Sequence, residues 1–171
     1  MSGTHRVLGL RMWLACAVAA ACGLGLLGVA VGQERASAPA KDVIFARKIL
    51  MDTINANMDE LETMISTGKE LNLAEAREHA DTISVMLMAF PHLFPESTNQ
   101  WKPNVERDPG TDTYASPDLW PKYADFYAKA AKASMAAYKA SRAKQEDEFK
   151  TFLAELRRGC DGCHEAYQKG D

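Results

Sequence analysis

Cysteine is scarce in this 171-residue chain. Beyond Cys16 and Cys22, which sit in an apolar N-terminal stretch, only Cys160 and Cys163 remain, so the four do not form one disulfide set. No segment sustains the apolar–polar alternation of a half-buried strand, and no hairpin turn pairs two such segments, which argues against a sheet. A basic stripe is also missing. With Arg6 and Arg11 set aside, 18 basic residues face 23 acidic ones, and nucleic acid finds nothing to hold. Neither N-terminal cysteine follows the small-residue box of a lipidated one, which excludes a lipoprotein.

What is present begins with a leader. Arg6 and Arg11 supply a basic start, and "MWLACAVAAACGLGLLGVAVG" then runs uncharged to Gly32. The small residues "AVG" before Gln33 suit a secretory cleavage point. At about 20 apolar residues the run is also long enough to remain as a membrane anchor. Residues 1–32 are therefore expected to be a signal peptide, with a retained anchor as the alternative, and residues 33–41 a short linker. Both readings place the body, 42–171, outside the cytoplasm. Its 25% charged and 47% hydrophobic content suits one water-soluble domain with a real core.

Four helical patterns fill the body. From Asp42 to about Thr67, Ile44, Met51, Met58 and Ile65 recur at heptad spacing with Ile54 and Leu61 interleaved, and Gly68 ends the run. From Asn72, a second face carries Leu73, Ala76, Ala80, Ile83, Leu87 and Phe90, closed by Pro91. A third helix is predicted from "SPDLW", with Ser116 capping and Pro117 in the first turn, through an alanine-rich run to about Ala143. That run, "AKAAKASMAAYKA", would permit close helix approach, but propensity alone explains it as a surface helix, the reading preferred here. The fourth helix aligns Phe149, Leu153, Leu156, Cys160, Cys163 and Tyr167. Between the second and third lies "PHLFPESTNQWKPNVERDPGTDTYASP", too rich in proline for regular structure. Two short links and one long crossover define an antiparallel four-helix bundle, an all-α fold in which cofactors sit among facing side chains.

The chemistry concentrates in "CDGCHEAY", Cys160 to Tyr167. On a helix, Cys163 and His164 stand three and four residues after Cys160, on nearly one face. A structural zinc site would need further donors, and the body has no other cysteine; His79 and His92 are not paired. A thioredoxin-like pair requires a βαβ context that is absent, and a disulfide within one helical turn would strain the backbone. Attachment of haem c accounts for all three residues. The two thiols add to the porphyrin vinyl groups and the histidine ligates iron, in a C-x-x-C-H motif behind an export leader.

Arg47 supports this reading, because it falls on the inner seam one turn before Met51. A cation facing a core is costly unless an anion waits there, as haem propionates would; a snorkelling arginine with a solvated head is the alternative. Met51 lies at the expected height opposite the motif. Its thioether is placed to ligate iron, although a seam methionine also serves simply to fill space. His79 is expected at the surface.

"RGCDGCHEAYQK", "ARKILMDTINANM" and "LFPEST…KP…ASPDLW" together resemble the class II c-type cytochromes, the cytochrome c′ family, over essentially Asp42 to Lys169. The resemblance implies thioether links at Cys160 and Cys163, His164 as proximal ligand, Arg47 as propionate neighbour and Lys48 beside it. Some family members leave the iron five-coordinate and bind nitric oxide or carbon monoxide; others ligate a first-helix methionine and carry electrons. "KILMD" looks closer to the second branch. The expectation is thus a periplasmic electron carrier with His/Met ligation, not an enzyme, exchanging electrons with redox partner proteins over an exposed haem edge. The alternative is a high-spin gas-binding protein with Met51 as a distal blocker. Dimerisation through the first two helices is a further implication of the resemblance.

Overall fold

In the computed structural model, residues 38–169 are described except 67, 69, 109 and 110; the leader and the first part of the expected linker lie outside them. Four helices and no strand occur among the described residues: α1 Ala40–Ser66, α2 Leu73–Ala89, α3 Tyr123–Arg142 and α4 Glu146–Tyr167. The α1 helix starts two residues before Asp42, because the carbonyl of Pro39 accepts the N–H groups of Asp42 and Val43. Asn72 caps α2 by accepting the Glu75 N–H. At Gly68 the backbone takes φ 65, the left-handed value that a helix-ending glycine adopts without a Cβ penalty.

Antiparallel packing follows from the cross-helix bonds. Ser134 donates to the Ser84 carbonyl at 2.8 Å and Arg77 to the Ser141 carbonyl at 2.8 Å, so α3 climbs as α2 descends. On α1 and α4, Arg157 Nε meets Glu62 Oε1 at 2.6 Å. The main core joins Ile54, Met58 and Leu61 of α1, Ala76, Ala80 and Ile83 of α2, and Phe149, Leu153 and Leu156 of α4. No helix among the described residues is long and apolar enough to cross a membrane.

Two expectations are corrected. The third helix does not begin at Ser116. Ser116 caps a short 3-10 turn, Pro117–Leu119, and α3 proper starts at Tyr123. Pro121 has no N–H to give, so the helical ladder cannot run through it. The alanine run is not a surface helix either: Ala130, Ala133, Ala136, Ala137 and Ala140 are all buried. Small side chains are what the α3 interfaces need. A Cβ placed on Gly159 of α4 would lie 3.3 Å from the Ala133 Cβ, so the two helices touch nearly backbone to backbone. Replacing Gly159 with valine is expected to overpack this contact and cost about 1–3 kcal/mol, seen as a lowered thermal unfolding midpoint.

Candidate haem-binding site

At the end of the bundle where α1 begins and α4 ends, the helices separate around a cavity of about 400 Å³, within the ~300–1,000 Å³ usual for small-molecule and cofactor sites. Cys160, Cys163 and His164 line it from α4, and Arg47, Lys48 and Met51 from α1. All six residues singled out in the sequence therefore face one space, although they lie more than a hundred positions apart.

Burial sets the character of the α4 motif. Both cysteines are half-buried free thiols. Burial pushes the Cys160 thiol up, and burial with the neighbouring Cys160 pushes Cys163 up to about 11. A redox thiol pair needs the opposite, a depressed value that populates thiolate. Burial lowers the imidazole of His164, which keeps it neutral with a ring nitrogen free for a metal. Among the described residues, no group of three or more His, Cys, Asp or Glu side chains converges as a metal cluster, so zinc would find no second donor pair.

Arg47 is 4% exposed, which corrects the solvated-head alternative. Its guanidinium donates from Nη1 to Thr98 Oγ1 at 2.9 Å and to the Leu93 carbonyl at 3.4 Å, and from Nη2 to Thr113 Oγ1. Its face lies 4.4 Å from the Phe94 ring centroid. All three hydrogen-bond partners are neutral, and among the described residues no carboxylate pairs with it. Burial lowers its pKa to about 10, so this cation is held at a cost that an incoming anion would offset. Lys48 is tied alongside, donating to the Asp112 carbonyl at 2.9 Å and lying 5.0 Å from the Tyr114 ring. Replacing Arg47 with glutamine is expected to lower stability by about 1–3 kcal/mol, the cost of stranding buried acceptors. A shifted denaturant midpoint is the check.

Met51 is partly buried against the main core, and Met58, one helical repeat on, also reaches the cavity. His79 is half-buried rather than at the surface and bonds Asn57 Oδ1 at 2.8 Å, away from the cavity lining.

Several lining residues read from the sequence only as apolar positions or loop, not as part of a site. Phe90, Phe94 and Phe126 build an aromatic wall, with Phe94 and Phe126 centroids 4.8 Å apart and Tyr167 edge-on to Phe126 at 5.5 Å. Tyr167, already aligned with Cys160 and Cys163 on the α4 seam, donates to Asp125. The crossover contributes Thr113, Tyr114 and Ala115. It is stitched to the end of α4, with Ser116 N donating to the Tyr167 carbonyl and Lys169 N to the Tyr114 carbonyl, each at 2.8 Å.

A four-helix bundle with a C-x-x-C-H motif opening onto an apolar cavity is the architecture of a class II c-type cytochrome. The family model described as Cytochrome C' matches residues 42–168, and the chain belongs to that family of haem proteins. Among characterised relatives, a cytochrome c′ from Pararhodospirillum photometricum is 29% identical over 126 residues, spanning 72% of this chain and 93% of its own. Two solved structures show the same fold. One is a cytochrome c′ with ligand-controlled dimer dissociation, at TM-score 0.67 and 19% identity, covering 79% of this chain and all of its own. The other is the nitric oxide complex of a point variant of cytochrome c prime from Alcaligenes xylosoxidans, at TM-score 0.65 and 16% identity, with the same coverage.

Proposed function

We propose that this chain is a gas-binding c-type haem protein with one covalent haem c, five-coordinate at rest and open to nitric oxide or carbon monoxide. In this reading Cys160 and Cys163 hold the porphyrin through thioether bonds, His164 ligates the iron, and Arg47, with Lys48 beside it, faces the propionates. The observation that carries it is the convergence, on one largely apolar cavity, of the motif and a buried arginine that no carboxylate among the described residues pairs with. Such a cation fits a cofactor that brings its own carboxylates. The haem would supply an iron centre able to take a diatomic gas.

The chain's own residues do the rest. Phe90, Phe94, Phe126 and Leu119 line the cavity and would exclude water from the macrocycle. Burial keeps His164 unprotonated and able to ligate. Met51, which lines the same cavity from α1, would limit access of the gas. In this reading the protein binds its ligand rather than catalysing a reaction, which membership of a family of haem proteins supports.

Membership of the cytochrome c′ family weighs toward this reading over the His/Met electron carrier expected from "KILMD". The carrier remains the second reading because Met51 does line the cavity; electrons would then pass to redox partner proteins over an exposed haem edge. The leader supports delivery to the periplasm, and the exposed Phe45, Ile49, Val85 and Met88 of α1 and α2 suit a homodimer face. Absorption spectra of the oxidised and reduced holoprotein test the proposal. High-spin spectra in both states, with complete carbon monoxide uptake by the reduced form, are expected. Low-spin spectra with slow, partial uptake would favour the carrier.

A further inference from the structure

A second hollow lies within the crossover, on the far side of Thr113 from the haem cavity. It measures about 460 Å³ and is lined by polar groups, among them Asn99, Gln100, Lys102, Arg107, Asp112 and Thr113. We propose that this hollow binds a small oxyanion, a phosphate or a short carboxylate, and that the bound charge is felt at the haem through the shared Thr113 wall.

The local chain geometry builds a receptor. Asn104 takes φ 57, the left-handed conformation that asparagine tolerates best after glycine. The tight turn brings the Lys102 carbonyl back to Arg107 Nη2 at 2.9 Å, while Arg107 Nη1 donates to the Thr113 carbonyl at 3.1 Å. The Arg107 guanidinium also stacks between Trp101, 5.0 Å from the ring centroid, and Tyr114 at 5.4 Å. Two carbonyls and two rings thus fix its orientation while using only part of its five-donor edge. Among the described residues, neither Arg107 nor Lys102 has an ion-pair partner. The one carboxylate in the lining, Asp112, already accepts the Asp108 N–H at 2.9 Å. Two cations against one engaged carboxylate leave the hollow net positive within an acidic protein. A fixed guanidinium with free donors beside an exposed ammonium suits an oxygen-rich anion.

The link to the haem cavity is short. Thr113 lines both spaces and accepts from Arg47, and the Asp112 carbonyl accepts from Lys48. A negative charge placed there favours the more positive oxidation state of a nearby iron, so the anion is expected to lower the reduction potential.

Calorimetric titration of the holoprotein at low ionic strength, with inorganic phosphate and with succinate, tests binding; chloride at matched ionic strength controls for screening. Saturation by at least one oxyanion, with a dissociation constant near or below about 1 mM, is expected. Lys102→Gln should weaken it about tenfold, as loss of one unit charge near contact would. Lys102 lends the loop its backbone carbonyl rather than its side chain, so this variant should keep the native circular dichroism. Failure of both anions to saturate through tens of millimolar, or binding untouched by Lys102→Gln, would overturn the site. A reduction potential unmoved by saturating anion would overturn the coupling. The calorimetry is independent of spin state, so failure here is distinct from failure of the gas-binding proposal.

Discussion

Replacing Cys160 and Cys163 together with alanine is expected to abolish covalent haem, leaving a denatured polypeptide whose mass is short by one porphyrin. The two thiols stand one helical turn apart on α4 and both face the cavity, so they meet one flat ligand side by side. Either thiol alone should still form one bond, so the single variants are expected to retain a tethered haem of altered absorption. The double variant should lose stability as well as colour. A ligand bound only by the folded state stabilises it by mass action, and a tethered one does so without dissociating. Without it, the cavity of about 400 Å³, flanked by Phe90, Phe94, Phe126 and Met58, is left unfilled. Mass spectrometry and thermal unfolding of protein made in a host that attaches haem c are the measurements. Bare thiols in the unaltered chain from such a host would end the haem proposal.

The second large effect concerns the other axial face. Met51→Ala is expected to leave a high-spin spectrum unchanged and to speed carbon monoxide or nitric oxide binding to the reduced protein about tenfold or more. The size follows from the side chain's burial. An incoming gas must displace a partly buried methionine whose burial is worth about 1.5–3 kcal/mol when complete, and each 1.4 kcal/mol is about a factor of ten. The opposite outcome is equally clear. Conversion of a low-spin spectrum to a high-spin one by this substitution would identify Met51 as an iron ligand and restore the electron-carrier reading. Met58→Ala is a useful companion, since Met58 is the second thioether on the cavity wall. A spin-state change confined to Met58→Ala would move the distal role one heptad, seven residues, along the same seam of α1.

The motif residues were legible because their information is local. Cys160, Cys163 and His164 fall within five positions on one helix, so the 3.6-residue period alone brings them to one face. Arg47 was legible for a different reason: a charged residue at an apolar seam position breaks the pattern, and the break marks a site. Its partners were not legible. Thr98 and Thr113 lie in an irregular crossover whose path no periodicity describes, and they meet Arg47 only because the loop folds back over α1. The alanines of α3 show the same limit. Small residues satisfy helix propensity and close packing equally well, and only the burial of these alanines, with the approach of Gly159 to Ala133, distinguishes the two.

By itself the sequence determined a four-helix body with a long crossover and a cofactor-anchoring motif at the end of its last helix, because hydrophobic period, proline placement and i,i+3 spacing act over a few residues. Tertiary structure alone decided how deeply Arg47 is buried, which aromatic residues complete the wall beside Met51, and that the crossover closes the cavity while framing a second hollow. Those features depend on how an irregular crossover folds on itself and packs against the helices, which is set by packing rather than by any periodic pattern.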